Sequence, residues 1–186
     1  YHETGDGLPS NTAVKLAGYV YIDPAWDTDP GPAFSYTRSF ASGANDGARV
    51  WIGDTLVLDN PGTVSGAITH TAVPLRFTQS GYWPVTTQWF QSNGSDANLG
   101  LAISSRDGNY TTWDSANFRV LGDLGGTNPL QVYERPDGVA NPVLTTGSGL
   151  VGKYYSSGFA TGILPNYTTL NNWLAGAAPG AIQYLN

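Results

Sequence analysis

The chain consists of short strand-like runs separated by turn residues, and this pattern restricts the fold more than any other feature. Runs rich in Val, Ile, Thr, Tyr and Phe recur at a spacing of about ten residues, which is typical of antiparallel sandwiches and barrels. Helical periodicity is nearly absent, and the best helix candidate is the short stretch 167–174. We therefore predict an all-β fold, an antiparallel β-sandwich. The predicted strands are 14–22, 33–40, 49–52, 55–58, 67–71, 72–77, 81–91, 99–104 and 116–121.

The clearest local prediction is a β-hairpin over residues 48–58. A strand that ends at Ile52 is followed by Gly53-Asp54, a turn pair, and then by a second apolar strand. Alternation along the runs also predicts which side chains lie between the two sheets. The predicted core contains Tyr19, Val50, Ile52, Leu56, Leu58, Trp89, Leu101 and Ile103.

Charge and composition exclude several classes of function. The net charge is −6, and the eight Lys and Arg residues are scattered, so the sequence predicts no nucleic-acid partner. No apolar run reaches membrane-spanning length, so we predict no membrane insertion. The absence of Cys excludes disulfides, thiolate metal sites and a Cys nucleophile. No nucleophile elbow, zinc motif, phosphate loop or paired acid motif is present, so we predict that the chain is not an enzyme.

The chain divides into three parts by composition. Residues 1–121 carry most of the strand-like runs and form the predicted main body of the sandwich. Residues 122–148 are punctuated by Gly, Pro and Asn, which predicts a linker or a strand on the outside of the body. Residues 149–186 begin again with an apolar run, as though a new domain were starting.

Four segments resemble one known family, the protective-antigen fourteen-kilodalton type domain. NDGARVWIGDTLVLDN resembles the family's signature, in which two acids and a Gly precede an aromatic strand, a turn and a strand that ends in Asp-Asn. KLAGYVYI resembles the strand before that signature, and YWPVTTQWFQSNGSDANLGLAIS resembles a later hairpin. GLVGKYYSSGF resembles the family's opening strand, although here it comes last in the chain.

The resemblance implies a β-sandwich that binds carbohydrate through Ca²⁺. In lectin members of the family, two adjacent acids hold the ion, and they match Asn45 and Asp46. A second loop supplies further oxygen ligands, and it matches residues 93–98 with Asn93, Asp96 and Asn98. Asn45 replaces an acid and removes one negative charge, which lowers the expected affinity. The implied sugar-binding residues are Asn45, Asp46 and Asn93. Trp83 is added to them because of its residue type, since an indole ring can stack on a sugar.

An alternative for the same three residues is a simple turn. Asn45 and Asp46 would then bond their own backbone, and Gly47 would take a positive φ. The chain order also leaves two interpretations open. Residues 149–186 either complete their own sandwich in a circularly permuted arrangement, or they begin the next unit of a tandem array and are shared with a neighbour.

Together these features predict a non-catalytic, extracellular module at the cell surface, a repeat unit of an adhesin or filament that binds glycans with Ca²⁺. Copies of the chain or adjacent repeats are the other expected partners. A purely structural fibre subunit assembled by strand donation is one alternative. An accessory carbohydrate-binding module of a glycosidase is another.

Overall fold

A computed structural model describes the chain over the residues that form its strands and several connections between them. The described residues are 12–22, 36–60, 68–70, 74–91, 98–105, 108–111, 116–121, 129–130, 132–133, 150–155 and 181–185. Within these ranges the regular structure is entirely β, so the predicted fold class is confirmed. The strands are β1 Thr12–Ile22, β2 Tyr36–Arg38, β3 Phe40–Asn45, β4 Gly47–Ile52, β5 Thr55–Asn60, β6 Ile68–His70, β7 Leu75–Phe77, β8 Gly81–Gln91, β9 Asn98–Ser104, β10 Phe118–Leu121, β11 Pro129–Leu130, β12 Val132–Tyr133, β13 Leu150–Tyr155 and β14 Ala181–Leu185.

The strands form two main sheets and one short ribbon. The seven-stranded sheet has the order β14-β13-β1-β8-β4-β5, with β12 paired to β1 beside β13. The five-stranded sheet has the order β11-β10-β9-β3-β6, and β2 pairs with β7 in the ribbon. These pairings are antiparallel except for the parallel pair of β10 and β11. The long strands β1 and β8 are in register over their whole length, from Thr12 opposite Gln91 to Ile22 opposite Gly81.

The core lies between the two main sheets, because one face of each sheet supplies the same apolar cluster. Six of the eight predicted core residues are buried in it. They are Val50, Ile52, Leu58, Trp89, Leu101 and Ile103. The predicted hairpin is also confirmed, since β4 pairs with β5 across a turn in which Gly53 has a φ of 56°.

Two predicted core residues lie elsewhere, and each has a physical reason. Tyr19 is half-buried, because β1 alternates so that its neighbour Val20 faces the core. Leu56 is 42% exposed, because the register of β4 and β5 shifts between Val50 and Trp51. A one-residue shift moves a side chain to the opposite face of the sheet, so Leu56 pairs with Trp51 on the outside.

The segment after residue 121 contributes short strands to both sheets where it is described. β11 joins the five-stranded sheet, and β12 pairs with β1 through Tyr133 opposite Tyr19. β13 then pairs with β1 of the same chain, from Val151 opposite Ala17 to Tyr155 opposite Ala13. The helix predicted over 167–174 lies outside the described residues. The domain boundaries at 121 and 149 stay predictions.

Candidate functional site

The first predicted site residue, Asp46, lies where the chain passes from one sheet to the other. β3 ends at Asn45 in the five-stranded sheet, and β4 begins at Gly47 in the seven-stranded sheet. Asp46 alone makes this crossing. Its backbone N–H donates to the carbonyl oxygen of Phe90 at 3.0 Å, and the residue is only 8% exposed. The crossing is therefore fixed to β8 by a backbone hydrogen bond.

A second crossing lies beside the first. β8 ends at Gln91 in the seven-stranded sheet, and β9 begins at Asn98 in the five-stranded sheet. The residues that flank the two crossings pair with each other. In the seven-stranded sheet Gly47 is opposite Phe90, and in the five-stranded sheet Asn45 is opposite Asn98. Gln91 and Asn98, the residues that flank 92–97, therefore lie in different sheets next to Asp46.

Three of the predicted calcium ligands are thus brought to one end of the sandwich. Asn45 and Asn98 are cross-strand partners, so their Cα atoms are about 4.5–5.5 Å apart, and Asp46 is the next residue of the chain. Asn93 and Asp96 lie outside the described residues, within a connection whose two ends are at this site. The side chains of Asn45 and Asn98 also lie outside the described part of the structure.

Trp83, predicted to stack on a sugar at the same site, is at the far end of β8. It is opposite Val20, whereas Phe90 is the residue that contacts Asp46. Seven residues of a strand span about 23 Å, so the structure does not bring Trp83 to Asp46. Its ring packs edge-on against Phe77 with the centroids 5.0 Å apart, and it borders the core. This position gives Trp83 a packing role.

Gly47 has a packing role that the sequence did not indicate. The turn alternative needs Gly47 at positive φ, but the described glycines with positive φ are Gly53, Gly81 and Gly108. A Cβ on Gly47 would lie 2.6 Å from Cε1 and 2.7 Å from Cζ of the Phe90 ring, and 3.0 Å from the carbonyl oxygen of Asn60. The glycine is required because an aromatic ring occupies the place of a side chain.

The part of the seven-stranded sheet that adjoins Asp46 is polar on the inside. Thr12 and Gln91 are buried cross-strand partners at this end, and Asn60 is buried opposite Ala48. Sequence reasoning missed these three residues. The Asp-Asn ending of the hairpin was a signal for Asn60, whereas Thr12 and Gln91 become neighbours only through the pairing of β1 with β8.

Among the described residues, the predicted ligands at this junction are one acid, Asp46, and two amides, Asn45 and Asn98. Among the described residues, no group of three or more His, Cys, Asp or Glu side chains comes together. Calcium takes six to eight oxygen ligands, which include carboxylates, Asn amides, backbone carbonyls and water. A junction with one buried carboxylate, neighbouring Asn residues and two chain crossings suits calcium better than a transition metal, which prefers imidazole or thiolate.

Among the described residues, no helix is long enough and apolar enough to span a membrane.

Comparison with known proteins gives one structural likeness. The chain matches no protein-family model, and no curated protein matches it. A solved structure, the PA14 domain of the antifreeze protein MpAFP, is 24% identical to it, with a TM-score of 0.43. The match covers 55% of this chain and 47% of that chain, so it spans less than half of the compared protein.

Proposed function

We propose that the chain is a non-catalytic extracellular module that binds carbohydrate through a weak calcium site at the Asp46 junction. One observation carries the proposal: the paired sheet crossings bring Asn45, Asp46 and Asn98 together with both ends of the connection 92–97. These three residues carry hard oxygen donors, and backbone hydrogen bonds and strand pairing fix where their backbones lie.

Asp46 is the main charged ligand in this proposal. Asn45, Asn93 and Asn98 add neutral amide oxygens, and Asp96 adds a second carboxylate from the connection. Asp46 is a buried residue, 8% exposed, so a calcium ion bound there would add to the contacts that already balance its negative charge. Vicinal hydroxyls of a sugar then replace water ligands on the open side of the ion.

The expected affinity for calcium is low. Asn45 supplies no charge, and fewer charged ligands weaken a calcium site. We therefore expect a dissociation constant of about 10⁻⁴–10⁻³ M, the range of extracellular modules. Such a site is filled only where calcium is millimolar, so we propose an extracellular location at the cell surface. We propose that at the cell surface the chain is a repeat unit of an adhesin or filament.

Calcium-dependent thermal stability tests the site. An ion that binds only the folded state with a constant of 1 mM adds about 1.4 kcal/mol at 10 mM. For a chain of this length we expect Tm to rise by about 3–6 °C, measured by differential scanning calorimetry with magnesium as the reference ion. Asp46→Ala should abolish the rise. Asp54→Ala is the matched control, because Asp54 is exposed in the turn at the other end of β4 and should leave the rise intact.

Glycan binding is then measured on the same two variants with an array of neutral oligosaccharides. We expect binding by the native chain and by Asp54→Ala, and loss of binding with a chelator or with Asp46→Ala. A Tm that 10 mM calcium leaves unchanged in the native chain would rule out the metal site. A calcium response without glycan binding would reject the carbohydrate role and keep the metal.

A further inference from the structure

β12 and β13 occupy the same edge of β1 as two halves of one strand. Tyr133 is opposite Tyr19, and Val151 is opposite Ala17, with both halves running antiparallel to β1. Leu150, which precedes Val151, therefore takes the position opposite Gly18. If Tyr133 were bonded directly to Leu150, the two halves would continue in register without a gap. In the sequence, residues 134–149 stand between these two halves.

In the described part of the chain, the β13–β14 pair is hydrogen-bonded to the rest of the sheet along one edge, that of β1. Within the described residues, β13 pairs with β1 and β14, and β14 pairs with β13 alone. Edge pairing depends on backbone hydrogen bonds, which any copy of β1 offers equally well. The register also places Lys153 opposite Lys15, and like charges directly opposite each other weaken a strand pair.

The connection between the two halves is far longer than the step that it bridges. Neighbouring positions of a strand are about 3.3 Å apart. A chain with the length of residues 134–149 spans up to about 55 Å when extended. Covalent connectivity therefore does not confine β13 to the β1 of its own chain.

We infer that the β13–β14 hairpin is an exchangeable element, and that the β1 edge of one copy accepts the hairpin of a second copy. The partner surface is the edge of β1 from Ala13 to Ala17, and its occupant is residues 150–155 of another molecule of this chain. Exchange leaves each sandwich with the same strand pairs. The balance between closed monomers and linked copies therefore depends on concentration, with an effective concentration of the tethered hairpin in the millimolar range.

Cross-linking between two full-length variants tests this inference. The chain has no Cys, so engineered thiols react without background. Ala17→Cys and Val151→Cys variants carrying different tags are unfolded together, refolded together, and treated with a short bis-maleimide. We expect a cross-linked heterodimer whose yield rises from micromolar to millimolar protein, measured by mass spectrometry under denaturing conditions. Lys15→Cys with Lys153→Cys is a second register pair in case either first variant folds poorly.

Two controls fix the interpretation. Ala17→Cys mixed with Thr86→Cys should give no heterodimer, because β1 and β8 pair inside the body of one molecule. Deleting residues 134–149 from both Ala17→Cys and Val151→Cys should remove the heterodimer, because β13 then cannot leave without β12. A further variant carries both Ala17→Cys and Val151→Cys in one chain, and if it cross-links only within single chains at millimolar protein, the inference is wrong. If no cross-link forms at all, the β1–β13 pairing and the inference fail together.

Discussion

At the scale of single residues, the contact between Gly47 and the Phe90 ring decides how the chain enters β4. The ring lies where a side chain at position 47 would be, and the backbone of Phe90 holds Asp46 through its carbonyl oxygen. One residue of β8 therefore limits the size of position 47 and positions the neighbouring acid. The two effects are separable, because only the first depends on the aromatic ring.

Gly47→Ala should destabilise the fold because the new methyl group and the Phe90 ring cannot occupy the same space. Overpacking of this kind costs about 1–3 kcal/mol, measured as a lower urea midpoint with an unchanged slope. Gly100→Ala is the matched control: among the described residues, its Cβ would meet the carbonyl oxygen of Gly43 at an ordinary 3.9 Å. We expect that variant to differ from the native chain by about 0.5 kcal/mol or less. Equal stability of the two variants would contradict the packing role of Gly47.

The residues of the candidate site were predictable to different degrees. Asn45 and Asp46 stand together in the sequence, and the oxygen-rich stretch that ends at Asn98 precedes the next strand, so both halves were visible locally. The closeness of Gly47 to Phe90 was not visible, since it depends on the pairing of β4 with β8 across some forty residues of chain. Trp83 was assigned to the same site by residue type alone, and the length of β8 separates it.

At the scale of elements, the bulge between β4 and β5 changes which leucine is buried. Leu58 lies in the core opposite Val50, whereas Leu56 is on the outer face opposite Trp51. A strict two-residue alternation places both leucines on one face, which is why the sequence predicted both in the core. The alternation of apolar and polar residues predicts the strand itself. It does not predict a bulge, because no residue type indicates where one strand carries an extra residue.

The two leucines form a matched pair for mutation. Leu58→Ala should cost about 2–5 kcal/mol because it removes buried methyl groups and leaves a cavity. Leu56→Ala should cost about 0.5 kcal/mol or less, since Leu56 lies on the exposed outer face of the sheet and its loss leaves no buried cavity. Chemical denaturation of both variants measures the difference. Similar losses at the two positions would mean that the register shift is absent.

At the scale of the whole molecule, the final hairpin protects the edge of a central strand. β1 pairs with β8 on one side, and on the other side its residues Ala13–Ala17 pair with β13. Deleting residues 149–186 should leave that edge open, and an unpaired edge next to an apolar face favours association with other chains. We expect the truncated chain to aggregate or to remain unfolded, measured by light scattering after size-exclusion chromatography. A stable truncated monomer would show that the hairpin is dispensable.

The sequence predicted the sandwich as a whole, but not the arrangement of its strands. Alternation and turn residues are local, so they identify strands such as β8 and the hairpin of β4 and β5. The sheet orders depend on contacts between distant parts of the chain, such as β1 with β8 and with β13. The continuity of β12 and β13 on one edge is of the same kind, because nothing in the residues around Tyr133 or Leu150 indicates a shared neighbour.

That continuity makes the chain between Tyr133 and Leu150 a natural point for grafting foreign sequence. Tyr133 and Leu150 take adjacent positions along β1. An inserted segment whose own ends lie close together can therefore be accommodated without displacing either strand. Each doubling of the segment's length adds only about 0.6 kcal/mol of closure entropy. We therefore expect segments of different lengths at this place to leave both sheets unchanged, so that the molecule can serve as a scaffold for new surfaces beside an intact sandwich.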